Sequence, residues 1–531
     1  MMDFKIVDIF NRSVTFEMNN SEAYLSGNTY DLYVNDEYRY RIDTNVFSVF
    51  NLRPDTEYEI KLKEADSNQD VSSCVIRTNK ETVLLDVSDF GAVGDGVKND
   101  TIAIQAAVYC CPEGGTVRIS NGTYLTGPIF LKSKITLLIE EGAVLLGLTD
   151  RNEYPVLPGM VRRTDDIKKE MSFTSWEGNP LSSFASLITG QDVKDVDIIG
   201  CGMIDGNAQN SDWWIDVRNK KIAWRPKLVE LTRCSNIRIQ GLKFQNSPCW
   251  SIHPYYSDNI SFVDCSIYNP DNSPNTDGID PENCSDVKII GVKISVGDDC
   301  VALKSGKIYM AKYHYKKTEN ITIRNCKFER GHGAVTIGSE IACGVCNLDV
   351  SQCIFEHTDR GLRVKSRRGR GNRSVLGNLR FSNIKMNYVH MPFTVNMFYF
   401  CDPDGHSDYV QCQEALPVDE KTPSVGNLTI SDIECQGVNS VFVCIYGLPE
   451  SPVSGVYMDN VKVSYLPEEE RVPICPIMMD NFPDMCGRGI FIKNADMITM
   501  CNIEIVGSVD EEPELINVNQ KKLGGVTYRK V

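Results

Sequence analysis

Between residues 230 and 430 one phrase recurs: an Asn or Asp, followed by a short run in which apolar and polar positions alternate. It reads Asn236-Ile237-Arg238-Ile239, Asn259-Ile260-Ser261-Phe262, Asp286-Val287-Lys288-Ile289, Asn320-Ile321-Thr322-Ile323, Asn347-Leu348-Asp349-Val350, Asn378-Leu379-Arg380-Phe381 and Asn427-Leu428-Thr429-Ile430. Period-two alternation is the signature of strands with one buried face. Successive gaps of 23, 27, 34, 27, 31 and 49 residues fit strands of constant length joined by loops of variable length. A propeller would show several strands and aromatic signatures in each blade of roughly 40 residues, and none is visible. The pattern predicts a β-solenoid, each phrase marking one turn.

Two stretches depart from this rhythm. Residues 1–80 alternate at Tyr38 to Ile42, and again through Leu52, Pro54, Thr56, Tyr58, Ile60 and Leu62, which predicts a small β-sandwich before a solenoid spanning residues 85–515. A tyrosine following a Leu-x-Pro turn resembles fibronectin type III domains, although these residues hold no tryptophan, which such domains usually carry. The segment from Asp150 to about Ser186 holds Pro155, Pro158, Trp176 and Pro180 among charges. It predicts an inserted loop region of the kind that shapes a binding face on a solenoid. The tail beyond Asp510 is acidic and then basic, without a readable pattern.

The chain has 531 residues, 42% hydrophobic and 24% charged, enough for two folding units with apolar cores. A formal net charge of −16 argues against nucleic-acid or anionic-membrane partners. No run reaches the roughly eighteen apolar residues of a membrane span. The start, Met1-Met2-Asp3-Phe4-Lys5-Ile6, has no signal-peptide features, so a cytoplasmic address is expected unless a signal was trimmed. Twenty cysteines fall largely in apolar runs, as at Cys265, Cys326 and Cys353, and are expected to be reduced, buried thiols. Cys343-Gly344-Val345-Cys346 lacks the second pair or histidines of a zinc site.

Four short clusters carry the chemistry: Asn275-Thr276-Asp277, Gly297-Asp298-Asp299, Gly331-His332-Gly333 and Arg363-Val364-Lys365. They stand 21 to 33 residues apart, about one solenoid turn each. Adjacent turns stack at about 4.8 Å, so three carboxylates, an imidazole and two cations would converge. Asp277 and Asp298, 21 residues apart, are expected one above the other. Asp298 and Asp299 reach one cleft only if the chain bulges, which Gly297 permits. Arg363 and Lys365, two apart on a strand, share a face. From Arg360 to Arg373 there are seven basic residues and no acidic one, a local reversal suited to carboxylate-bearing sugars. Hydrolysing a glycoside by inversion takes one carboxylic acid to protonate the leaving oxygen and one carboxylate to activate water.

In this order the four clusters resemble those of glycoside hydrolase family 28, the polygalacturonases. The phrase from Asp86 to Gly96 followed by Asn99-Asp100-Thr101 resembles the entry to the right-handed parallel β-helix of pectin-degrading enzymes. The resemblance implies metal-independent, cofactor-free, inverting hydrolysis of α-1,4-galacturonosyl bonds. It implies that Asp298 is the general acid and that Asp277 and Asp299 hold and deprotonate the water. His332 would tune the acid and touch substrate, Arg363 and Lys365 would bind a galacturonate carboxylate, and Asn275 would support the site. Arg367, Arg368 and Arg370 would take further carboxylates. The leader and the inserted loops resemble exo-acting bacterial members, which release mono- or digalacturonate from chain ends. The motifs themselves do not separate exo from endo action and say nothing of oligomeric state. A pectate lyase, with calcium at the acidic cluster, a rhamnogalacturonan hydrolase and a non-catalytic sugar-binding solenoid are the rival readings.

Overall fold

The structure is a computed structural model that describes residues 4–162 and 169–530. Part of the segment from Asp150 to Ser186, and the first three residues of the expected sandwich, lie outside the described residues.

Seven strands from Phe4–Ile9 to Asp70–Arg77 form two antiparallel sheets of three and four strands. Phe16, Leu32, Ile60 and Leu62 close the core between them without solvent exposure. Of the long alternating run only Glu57–Glu64 is strand. Leu52 to Thr56 is the turn before it, where Pro54 lacks a ladder donor and Asp55 takes a φ of 48°. The Tyr58 hydroxyl accepts the Arg53 amide at 2.8 Å, the tyrosine corner of such sandwiches. Where a tryptophan is missing, Phe4, Phe16 and Phe47 pack ring to ring at 5.1, 5.4 and 6.0 Å.

The rest is a parallel β-helix built on one 28-stranded sheet whose strands pair with those one turn away. One inward row runs Ile237, Ile260, Val287, Ile321, Leu348, Leu379, Leu428, Val456 and Ile498, each registered on the next. The residue before the first six members of that row is the repeated Asn or Asp, with φ between 53° and 59°. Only Gly, Asn and Asp enter that left-handed region readily. The same side chains make a ladder: Asn347 Nδ2 donates to Asn320 Oδ1 and Asn378 Nδ2 to Asn347 Oδ1, both at 3.0 Å. The phrase therefore marks the bend of each turn. All twenty cysteines are free, and the thiols of Cys265, Cys326 and Cys353 donate to the carbonyl two residues back.

The helix Thr101–Cys110 covers the N-terminal end with Ile104, Ala107 and Val108. Asp100 does not cap it; its carboxylate accepts the Val93 and Gly94 amides, each at 2.9 Å, tying the preceding loop to the helix. At the other end the last strand, Glu514–Arg529, pairs in parallel with Arg488–Val506, past residue 515 where the sequence placed the solenoid's end. Its side chains are mostly exposed, and Lys521 and Lys522 lie on this open edge, the pattern that discourages edge-to-edge pairing.

The sandwich docks on the flank of the helix. Glu17 receives Arg324 at 2.5 and 2.8 Å and Asn325 at 2.7 Å. Gln240 joins Ser13 and Thr15, and Phe10 is buried against Leu138 and Ile199. No sandwich residue lines the cavity described next. No helix among the described residues is long and apolar enough to cross a membrane.

Candidate active site

Asn275, Asp277, Asp298, Asp299, His332, Arg363 and Lys365 all line one cavity of about 480 Å³ on the solenoid's side. Asp298 and Asp299 sit in the bend between the strands Lys293–Ser295 and Val301–Leu303, outside regular pleating, so both reach the same cleft. Gly297 is required there, because a Cβ would stand 2.4 Å from the Ser273 carbonyl oxygen. Gly333 serves the same purpose: a Cβ would meet Asp299 Oδ1 at 2.9 Å.

The register corrects one expectation. Asp277 pairs not with Asp298 but with Asp299, as the Ile279–Val301 bridge and the Gly278 amide on the Asp299 carbonyl (3.0 Å) require. Asp298 instead aligns with His332, whose amide donates to its carbonyl at 2.9 Å. The turn here is 22 residues, and one residue of offset decides which carboxylates stack.

Oxygens of the three aspartates approach within 4.8 Å of one another, and their surroundings drive their ionisation apart. Burial raises Asp298, and the Asp299 charge adds to it. Burial also acts on Asp299, but Lys365 at 2.9 Å and Arg363 at 3.2 Å outweigh it and hold that carboxyl far below the usual range. Asp277 is raised well above it by burial and by Asp280 and Asp298. Adjacent carboxyls forced in opposite directions are the arrangement from which acid and base roles are read. His332 Nδ1 meets Asp359 Oδ2 at 2.8 Å, and this bond raises the imidazole pKa. Asn275, at φ 57°, accepts from the buried Arg225 at 2.6 Å.

The arginine run needs a second correction. Arg367, Arg368 and Arg370 do not line the cavity. Arg368 is buried on Glu450 at 2.6 and 2.9 Å, Arg367 is forked on Asp404, and Arg370 Nη1 lies 2.7 Å from Asp402. They are neutralised in the cleft wall by acids from later loops, which a local charge count does not see.

Other residues complete the site unannounced by the motifs. Lys304 Nζ lies 3.9 Å from both Asp277 and Asp280, 3.5 Å from Glu340 and 4.6 Å from the Trp250 ring centre. Glu340 is held down at about 2, because Lys304, Lys307 and Lys365 outweigh its burial. Tyr399, Asp402 and Met478 come from loops after the last motif. From the inserted segment comes Glu177, beside Trp176, which is sandwiched between Trp224 and Trp250 at 4.7 and 5.7 Å.

Loops from three parts of the chain are tied together along the cavity's lining at Glu177, Glu340 and Asp402. Gly178 packs on Glu340, so closely that a Cβ would fall 2.7 Å from that side chain, and its carbonyl accepts the Lys307 amide at 3.0 Å. Lys307 Nζ in turn reaches Asp402 at 3.0 Å. Three loops are thereby joined into one wall. Past His332 and Asp359 the cleft instead continues into a second hollow of about 360 Å³, reached by Arg330, Asp271 and His357.

A family model described as glycosyl hydrolases family 28 matches residues 158–477, and one described as rhamnogalacturonase A/epimerase, pectate lyase-like matches residues 84–141. A probable polygalacturonase of Vitis vinifera is 31% identical over 393 residues, covering 72% of this chain and 75% of that one. An endo-polygalacturonase of Pectobacterium carotovorum subsp. carotovorum is 31% identical over 314 residues, covering 56% and 72%. The Yersinia enterocolitica family 28 exopolygalacturonase structure, at 19% identity, superposes with a TM-score of 0.70 over 98% of both chains, the sandwich included.

Proposed function

The chain belongs to glycosyl hydrolases family 28 and is a glycoside hydrolase, and from that premise we propose that it is a polygalacturonase that cuts α-1,4-galacturonosyl bonds from a chain end, with inversion, releasing mono- or digalacturonate. The observation that carries the hydrolytic reading is the split between Asp298 and Asp299, adjacent carboxyls in one cavity whose surroundings push their pKa values in opposite directions, up for Asp298 and down for Asp299.

In this reading Asp298 protonates the glycosidic oxygen as the bond breaks, and Asp299 takes a proton from the attacking water. Asp277, whose pKa is raised, suits orienting that water better than deprotonating it. His332, whose pKa is raised by its bond to Asp359, faces Asp298 and in its charged form steadies that carboxylate once the proton has left. Arg363 and Lys365 keep Asp299 ionised and present positive charge to a galacturonate carboxylate. Exo action is supported by the wall through Gly178, Lys307 and Asp402, against which a polymer threading the cleft would collide.

Viscometry of a pectate solution against reducing-sugar release tests the exo part. Exo action lowers viscosity slowly per bond cut; a rapid early fall in viscosity means internal cutting and an endo-acting enzyme.

A further inference from the structure

Where these loops meet, the inserted segment makes a two-residue hairpin turn. Trp176 and Asn179 exchange both backbone hydrogen bonds, at 2.9 and 3.1 Å, around Glu177 and Gly178. Glu177 has a φ of 47° and Gly178 one of 73°, the type I′ pattern, for which Asn-Gly is the favoured pair. Glutamate is a poor occupant of that conformation, in which its Cβ crowds the backbone. The turn is locked on every other side: Trp176 lies in the tryptophan stack, Gly178 sits on Glu340, and the Lys307 amide holds the Gly178 carbonyl. The strained residue is the one left over. Its side chain lines the cavity with Asp298 and Asp299, and its carboxylate has no hydrogen-bond or ion-pair partner among the described residues.

We propose that Glu177 is the residue that recognises the chain end, its carboxylate accepting a hydrogen bond from the free C4 hydroxyl of a non-reducing terminal galacturonate. The proposal rests on the chain-end reading above. An internal unit has a glycosidic oxygen at C4, which has no proton to donate to a carboxylate, so the same contact becomes lone pair against lone pair. A reducing end interconverts between two anomers; only a non-reducing end offers one fixed hydroxyl to the exposed Glu177 carboxylate that this fixed turn presents. The uncommon backbone at Glu177 is then the cost of aiming a carboxylate from a turn that Asn would occupy without strain.

The test is Glu177→Asn, with Glu177→Gln beside it, assayed on saturated trigalacturonate and on trigalacturonate with a 4,5-unsaturated non-reducing terminus, which lacks the C4 hydroxyl. Glu177→Asn suits the turn, so its Tm is expected to equal or exceed that of the parent. For saturated substrate kcat/KM is expected to fall about 10- to 100-fold, the worth of one hydrogen bond to a charged acceptor. For unsaturated substrate it is expected to stay within about twofold, so that the parent's preference for the saturated trimer disappears. An equal loss on both substrates, or no loss on either, overturns the role given to Glu177. A parent enzyme that produces an oligomer ladder from polygalacturonate removes the chain-end reading itself, and the proposal with it. Reductive labelling of the substrate fixes the polarity: the first small product is expected to be unlabelled, and a labelled one contradicts recognition of the non-reducing end.

Discussion

Asp277 and Asp299 stand in register on adjacent turns of the solenoid, while Asp298, one residue earlier, aligns with His332 on the turn beyond. This single-residue step puts two chemically identical side chains into opposite environments. Asp299 is gripped by Lys365 and Arg363, whereas Asp298 is half-buried beside the charge that results.

Removing either member of that pair should therefore stop chemistry while leaving substrate binding largely intact. Asp298→Asn and Asp299→Asn are each expected to lower kcat by about 10²- to 10⁴-fold with KM changed only a few-fold. Steady-state kinetics on oligogalacturonides, with circular dichroism to verify folding, checks this. A kcat within tenfold of the parent for either variant contradicts the assignment.

The reaction is expected to invert the anomeric centre even though the carboxyl oxygens lie closer than the roughly 6.5–9.5 Å separation of most acid–base pairs in inverting enzymes. A retaining mechanism needs a free carboxylate nucleophile. Both Asp299 oxygens are held by cations, and burial together with Asp280 and Asp298 raises the Asp277 pKa, which weakens it as a nucleophile. Proton NMR of the first turnover of an α-linked oligomer should show the β-anomer, and an α-anomer would sink the scheme. With the Lys365 and Arg363 charges already on Asp299, a chelator is expected to leave the rate unchanged, and no ultraviolet absorbance of an unsaturated product should develop.

The two limbs of the pH profile should move separately. Asp299 must be ionised, and Lys365 and Arg363 are what keep its pKa low, so Lys365→Met should raise that pKa and shift the acidic limb of kcat/KM to higher pH. His332 must be charged, and its pKa is raised first by the bond to Asp359. Asp359→Asn should lower it, so that activity on the alkaline side is lost at a lower pH than in the parent. Limbs that stay in place in both variants contradict this division of roles.

The bends carry a stability expectation of their own. Asn347 combines a φ of 57° with ladder bonds to Asn320 and Asn378. Asn347→Ala loses both the conformational fit and the ladder, and should cost about 1–2 kcal/mol in denaturant unfolding. Asn347→Gly, which keeps the conformation accessible, should cost less. The reverse order would mean that the backbone preference is not what fixes the bend.

Those bends are also why the solenoid was legible in the sequence: a left-handed residue followed by inward-facing strand positions is a local signal, repeated every turn. Tyr58 announced the sandwich because its hydroxyl bonds within five residues of itself. The site was half legible. The four clusters meet as expected, yet Glu177 and Asp402 are defined only by how loops close over the cleft, and Lys304, on the solenoid itself, carries no motif that marks it. The arginine run misled because Asp404 and Glu450, 37 and 82 residues away, neutralise it. The final strand was invisible because an edge strand has only one neighbour, and Leu515, Ile516, Val518, Val526 and Tyr528 are only partly buried against the core, too little to impose a clear apolar period.

The most direct measurement is product chromatography over a time course on fully demethylated polygalacturonate, with Asp298→Asn run alongside. The account expects one small saturated product from the earliest times, absent in the variant. A ladder of intermediate oligomers, unsaturated products, or a variant as active as the parent would contradict it.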